Sequence, residues 1–556
     1  MPQVEKPPQA DGASDIVGRH RRLVARTLLI SGLTLCSRIL GYARESMTAF
    51  LFGDRSAIYD AFVTAWRVPN LFRRLMGEGA LSTSLQNAVT AADHDRGNAA
   101  GRRVFLDTIR LATWILVGIS AVVMASVYVL GDTFPLTAWR WLGADPEPVR
   151  ELTLRLTPFL IFACLAGLCA GALGVRGHFA APTWGPAVMN VIVIATLGTI
   201  WWKFGATDQA LADPVLERAR EFDMARWLAW GTLVSGVALL AIQIPALKRN
   251  ELWPHADGAM RDLRAAWEIL KKSAPLALGA AVYQVNVMID GLMAQSMLDV
   301  GGPSALWYAN RIQQFPLALV ATAATAAVYP ALNAFGHRRE LGPLRTLHDR
   351  TQLAIVFFAL PASVGLFVLA RPVVSVLLEH GEFGPEGAAR TADCMRWLCV
   401  SLIPAGAVGL VGRTYYAIGD LRTPVRISIA MLLVNVGLNW VFVRVLGMDC
   451  DGLTAATAIT NWANLFLLLP LLLSRLPRQA DGPAIATSLA RITLAGAASG
   501  LAAWGAHAAL ADDPRSIVAL GLAIGAGGAA YALVCHALGV SEWQQLLAKL
   551  RSRARL

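Results

Sequence analysis

Apolar residues along this chain come in runs of roughly 20, separated by short polar connections; that is the length a helix needs to cross a ~30 Å hydrocarbon core. Runs and breakers predict helices near residues 27–52, 57–90, 105–130, 152–175, 183–202, 227–247, 273–298, 304–333, 351–378, 391–418, 425–446, 453–473, 484–509 and 516–538. The second is the least hydrophobic. Fourteen spans leave both ends on one side of a membrane, and Lys and Arg should then collect in alternate connections. About 27 of them fall in tails and loops on the N-terminal side, against about 9 on the other. Acidic clusters such as "EHGEFGPE" and "GMDCDG" lean the opposite way. The pattern predicts an all-α polytopic membrane protein with fourteen transmembrane helices and both termini cytoplasmic.

A repeat underlies the order of spans. "AWRVPNLF" in span two and "YANRIQQFP" in span eight each place an aromatic before an arginine and a proline after it. Arg67 and Arg311 are 244 residues apart, and Pro182 and Pro424, after spans four and ten, are 242 apart. These offsets predict a six-helix unit used twice. An even-numbered unit repeats in the same orientation, giving two lobes related by a pseudo-two-fold along the membrane normal. The expected organisation is a tail at 1–26, an N-lobe at 27–250, a C-lobe at 251–475, two further helices within 476–540 and a basic tail at 541–556.

Composition strengthens the membrane reading. Of 556 residues, 55% are hydrophobic and only 16% charged, with a mean hydropathy of +0.50, against about 45–50% and about 25% for soluble domains. The net charge of +11 reads as an orientation signal. Basic residues are dispersed over loops without interleaved aromatics, so no nucleic-acid partner is expected. The first 22 residues are polar and lack the apolar core of a cleaved signal peptide. The seven cysteines show no metal-ligand spacing, and with Cys450 alone in a short loop no disulfide framework is implied.

Charge inside the spans carries the chemistry. Arg38 and Arg44 lie in span one, Asp60, Arg67, Arg73, Arg74 and Glu78 in span two, Asp290 in span seven and Arg311 in span eight. Each charge near the bilayer centre costs at least ~2.5 kcal/mol. On a helical projection Asp60, Arg67, Arg74 and Glu78 fall within about 40° of one another, with Asn70 bordering them. Such a stripe faces protein or water. Pairing of Arg74 with Glu78 and snorkelling account for part of it. Cations nevertheless exceed nearby carboxylates, and guanidinium matches phosphate in bidentate fashion, so a phosphorylated ligand is expected. Arg38 and Arg44, six residues apart, diverge by about 120° on a regular helix; joint contact with one anion requires a break at Gly41.

The chain resembles the MviN/MurJ family of lipid II flippases, in the multidrug/oligosaccharidyl-lipid/polysaccharide (MOP) exporter superfamily. The densest match is "SRILGYARES" followed by "YDAFVTAWRVPNLFRRLMGEGALS"; "WYANRIQQFPLAL", "LPASVGL", "HGEF" and "GDLRTPVRISI" follow in order. The resemblance runs from about residue 25 to the end. It implies a non-enzymatic carrier in the bacterial inner membrane that turns undecaprenyl-diphosphate-linked disaccharide-pentapeptide (lipid II) from the inner to the outer leaflet by alternating access, driven by membrane potential or ion coupling. It places the diphosphate on Arg38, Arg44, Arg73 and Arg311, a cavity acid on Asp60, and a lipid-tail groove on the last two helices. No cofactor is implied. Some relatives bind sodium between helices seven, eleven and twelve, where this chain offers Asp290, Asn435, Asn439 and a hydroxyl at Thr454 or Thr457; helix–helix hydrogen bonding by the same groups is the alternative. Asn310 and Gln314 stand where many relatives carry acids around the span-eight arginine. Partners are lipid II and membrane lipids, with a monomer expected. The rivals are export of another undecaprenyl-linked glycan and a membrane glycosyltransferase or phosphatase using Asp60, Glu78 or Asp290; the second lacks a nucleophile–base pair and a large soluble loop.

Overall fold

Local chemistry sets where helices start and stop. Span one ends at Gly53, whose φ of +71° suits glycine. Three residues on, Ser56 adopts extended backbone and its Oγ accepts the Tyr59 amide at 3.1 Å, capping span two. Asp213 does the same ahead of Pro214, its Oδ1 accepting the Val215 amide at 2.9 Å.

The computed structural model describes residues 11–77, 80–129, 146–205, 213–254, 263–318, 323–478, 484–511 and 513–554. Every element among them is helical. Span one is the single helix Asp11–Phe52. Residues 11–26, expected as a tail, therefore continue it, and no break occurs at Gly41. Span two is Ala57–Phe72, a π-helical turn at Arg73–Gly77, and Ala80–Arg96. Spans three to six are Asn98–Val129, Pro146–Leu156 with Phe159–Val175, Ala180–Phe204, and Pro214–Ala241 with Ile244–Arg249. Spans seven to nine are Leu263–Met297, Gly302–Leu317 with Ala323–His337, and Leu341–Val368 with Ala370–Leu378. Pro385–Ala417, Arg422–Trp440 with a π turn at Val441–Val445, and Cys450–Leu473 are spans ten to twelve. Ile485–Leu510 and Ile517–Ala537 complete the set, and the basic tail is the helix Ser541–Ala554.

Ten of these helices are long and apolar enough to cross a membrane. Among the described residues, those ten are the predicted spans three to six and nine to fourteen. Helix neighbours repeat at an offset of six spans. Span one packs on five as seven packs on eleven, two on four as eight on ten, four on six as ten on twelve, and five on six as eleven on twelve. Spans thirteen and fourteen pack on each other and on span nine. A groove of about 500 Å³ lies there, lined by Val364, Phe367, Leu501 and Trp504. It sits between spans nine and thirteen. Trp114, Trp202, Phe466 and Leu501, all more than three-fifths exposed, are apolar surface suited to lipid.

The apolar cores show where the lobes meet. One core is common to both halves, with Tyr59, Phe62, Val193 and Leu228 beside Tyr308, Val374 and Met395. Toward the other side each half has its own. Leu81, Leu85, Phe105 and Leu168 form one, which also receives Leu270 of span seven. Leu332, Ile355, Leu410 and Leu465 form the other. The halves share a core at one end; at the other each has its own, and span seven bridges them by packing on Ala80–Arg96 and Asn98–Val129.

Cys394 and Cys450 form a disulfide with Cα atoms 5.7 Å apart, which corrects the expectation of none. The pairing depends on span ten lying against span twelve, a neighbour relation that a 56-residue separation does not reveal.

Candidate functional site

Between the ends with separate cores lies a cavity of about 1080 Å³, walled by spans one, two, seven, eight, ten, eleven and twelve. Among the described residues its charged lining is Arg38, Arg73, Arg74, Arg311 and Arg413 against a single acid, Asp290. Arg38 projects from span one with its guanidinium 5.5 Å from the Phe315 ring of span eight. Arg73 Nη2 donates to Asn70 Oδ1 at 3.0 Å, and Arg74 reaches across to Gln314 Oε1 at 2.9 Å and Gln284 Oε1 at 3.5 Å. Consecutive residues on a regular helix point about 100° apart. Both arginines line the cavity at the start of the π turn, and such turns gather at functional positions.

Arg44 stands behind the wall. Its Nη1 donates to Asn190 Oδ1 at 3.2 Å and its Nη2 pairs with Glu45. Buried Glu45 also faces Arg311, with Nε at 3.4 Å, and accepts the Trp307 indole N–H at 3.2 Å. One carboxylate therefore ties span one to span eight through two arginines. Sequence reasoning passed over Glu45, although it completes the "SRILGYARES" motif; the adjacent Arg44 was the available signal. With span one unbroken, Arg38 and Arg44 diverge as projected, and only Arg38 reaches the cavity. Gly41 lies between them, and a Cβ there would be in ordinary contact with Arg311 Nη2 at 3.4 Å.

The stripe on span two exists, but it faces spans seven and eight rather than open water. At its top, Asp60 is not on the cavity wall, which corrects its assignment as a cavity acid. It is 2% exposed, and its carboxylate accepts the amides of Gly301 at 2.7 Å and Ser304 at 2.9 Å. Those amides open span eight, so Asp60 caps a helix of the opposite lobe. In the middle, Arg67 lies directly over Gly291 of span seven; any side chain there would collide with its guanidinium. Buried Nε and Nη2 of Arg67 find no acceptor among the described residues. Only the lower end, Arg74, opens to the cavity. Glu78 lies outside the described residues.

At the cavity edge Asp290 accepts three donors: Asn439 Nδ2 at 2.8 Å, Asn286 Nδ2 at 3.1 Å and Thr457 Oγ1 at 3.1 Å. Asn439 also donates to Asn435 Oδ1 at 3.2 Å, and its own Oδ1 is buried without a donor. Thr454 is not in this cluster; its hydroxyl donates to the Asp451 carbonyl of its own helix at 3.1 Å. Thr457 supplies the hydroxyl instead.

The side away from the cavity is shut by contacts between the halves. Besides the Asp60 cap, the Gly384 amide donates to Asp54 Oδ1 at 3.2 Å and the Glu382 amide to the Phe50 carbonyl at 3.1 Å. Arg55 pairs with Glu386, and Tyr59 stacks on Tyr308 with centroids 5.8 Å apart. The result is a cationic cavity closed on one side.

A family model described as lipid II flippase MurJ matches residues 48–513. A probable lipid II flippase MurJ of Bdellovibrio bacteriovorus is 28% identical over 475 residues, spanning 83% of this chain and 84% of that relative. The lipid II flippase MurJ of Burkholderia cenocepacia is 28% identical over 455 residues, spanning 79% and 82%. Among solved structures, a lipid II flippase MurJ in an inward closed conformation superposes with a TM-score of 0.71 at 21% identity, covering 94% of this chain and all of that one. An inward-facing multidrug resistance MATE family transporter of the MOP superfamily superposes with a TM-score of 0.64 at 16% identity, covering 81% and 97%. The two superpositions carry the fold, and the match over residues 48–513 carries the kinship: the chain belongs to the lipid II flippase MurJ family.

Proposed function

We propose that this chain flips lipid II from the cytoplasmic to the periplasmic leaflet of the bacterial inner membrane, as a monomer with both termini cytoplasmic and without covalent chemistry. The observation that carries the reading is the cavity wall, with five arginines and one aspartate among its described residues. Such a surplus of cations in a low-dielectric setting is stable only with water or an anion beside it. The diphosphate of lipid II meets Arg38, Arg73 and Arg311 there, while Arg44 holds Arg311 in place through Glu45.

Transport follows from rocking of the lobes 27–250 and 251–475 about the joined core. With the diphosphate bound, repulsion among the arginines falls and the walls can approach. The interlobe contacts at residues 50–60, 301–308 and 382–387 then part, opening the cavity to the periplasm. The empty cationic carrier returns down the membrane potential, each charge crossing the full field being worth ~2.3 kcal/mol per 100 mV. Sodium at the Asp290, Asn439 and Thr457 oxygens is the coupling ion in this scheme; hard oxygen donors suit it.

The test is depletion of the native flippase in cells, with lipid II accessibility at the outer surface as the readout. Expression of this chain restores accessibility. Arg38→Ala and Arg311→Ala reduce it at least tenfold, and Arg38→Lys, which keeps charge but loses the planar fork, reduces it as well. Full complementation by Arg38→Ala sinks the reading.

A further inference from the structure

The cavity continues well beyond the arginines assigned to the diphosphate. Gln313 of span eight donates to the Leu398 carbonyl at 3.0 Å and to Ser401 Oγ at 3.2 Å, which places Arg311 level with that part of span ten. Arg413 also lines the cavity but lies twelve residues past Ser401 on the same continuous helix, roughly 18 Å further along its axis. A diphosphate held by Arg38, Arg73 and Arg311 does not reach it.

The chemistry at that end differs from the diphosphate end. Arg413 is half-buried, and its guanidinium lies 5.6 Å from the Tyr329 ring centre. No carboxylate among the described residues forms an ion pair with it. A cation stacked on an aromatic face keeps its in-plane N–H donors free for a ligand. Tyr416, one turn along, adds a second aromatic wall. Asn464 of span twelve lines the same cavity, and its Oδ1 is buried with no hydrogen-bond donor among the described residues. Orphaned polar atoms of this kind are costly unless a ligand or water completes them. On the same helix as Arg413, a Cβ added at Gly409 or Gly412 would meet nothing within 4 Å, so the wall beside Arg413 is bare and roomy.

We propose that Arg413, Tyr329 and Asn464 form a second subsite that reads the peptide portion of the substrate, with Arg413 taking a peptide carboxylate and Asn464 accepting a peptide N–H. The subsite rests on the lipid II reading and extends it, because it selects for an anionic peptide attached to the diphosphate-linked sugar. Carboxylate capture by the planar guanidinium is bidentate. The Tyr329 ring holds that plane in register.

The experiment measures binding to the purified full-length protein in nanodiscs, using three probes: lipid II, lipid II with its peptide carboxylates amidated, and undecaprenyl diphosphate. Arg413→Gln is expected to weaken lipid II binding about tenfold and to leave undecaprenyl diphosphate within twofold of wild type, which also reports that the variant is folded. Amidated lipid II should bind the wild-type protein as weakly as lipid II binds Arg413→Gln. Undiminished lipid II binding by Arg413→Gln, or equal losses for lipid II and undecaprenyl diphosphate, overturns the subsite. Equal affinity of the wild-type protein for amidated and native lipid II overturns it too. Failure of the flippase reading is distinct: the wild-type protein then binds none of the three probes.

Discussion

A single carboxylate shows how position determines the role of a charge here. Asp60 sits within a turn of the N-terminus of span two, yet its work is done for span eight, whose opening amides at Gly301 and Ser304 it accepts. Asp60→Ala is expected to cost about 1 kcal/mol, seen as a lower melting temperature of the purified protein, and Asp60→Asn, with one acceptor kept, about half of that. Asp420, in the connection before span eleven, is the counterpart outside the membrane. Burial opposes its ionisation, but the Thr423 hydroxyl and amide, Arg475 and the Arg422 amide outweigh it and draw the carboxyl down to about 2. A depressed carboxylate stabilises the fold at pH values above its unfolded pKa of ~3.9 and loses that contribution as pH falls toward the folded value. The melting difference between wild type and Asp420→Asn should therefore be constant from pH 5 to 8 and shrink between about pH 4 and pH 2. The stripe of Asp60, Arg67 and Arg74 was legible from spacing alone. Its partners were not, since Gly301, Gly291 and Gln314 lie more than 200 residues away in sequence and nothing local marks them.

Among the elements, span two departs furthest from regular geometry. Arg73 and Arg74 both line one cavity at its π turn, although a uniform 100° projection turns them well apart. Span boundaries were readable because lipid imposes a length and turn residues impose stops. Continuity through Gly41 and the helix over residues 11–26 were harder to see, because a membrane criterion is blind to helix outside the bilayer. Where spans two and seven cross, Gly291 makes room for Arg67. Gly291→Ala should destabilise by about 1–3 kcal/mol, and Arg67→Ala in the same chain should recover part of the loss, an interaction that a double-mutant melting cycle detects. The closed side offers a cross-link. A Cβ at Gly384 lies 3.7 Å from Asp54 Oδ1, so Asp54→Cys with Gly384→Cys should place two thiols within reach of a short, reducible bifunctional thiol cross-linker between the halves. Lipid II externalisation should stop on cross-linking and return with reductant.

At the scale of the molecule, the two halves share a core at one end and keep separate cores at the other, with the cationic cavity between the separate ends. Collapse of the membrane potential with the pH gradient intact should slow lipid II externalisation several-fold, because the returning carrier bears uncompensated arginines. The Cys394–Cys450 disulfide lies on the side opposite the termini and should form only where the compartment is oxidising. Thiol-specific mass tagging without reduction should therefore leave both cysteines unlabelled. The Asp60 cap has a mechanical meaning at this scale. Parting the halves withdraws the carboxylate and hands two amides at the head of span eight to water, at a net cost of about 1 kcal/mol for each hydrogen bond exchanged. The contact acts as a detent. An unloaded molecule is expected to favour the latched side, with the cargo's binding free energy helping to release the catch.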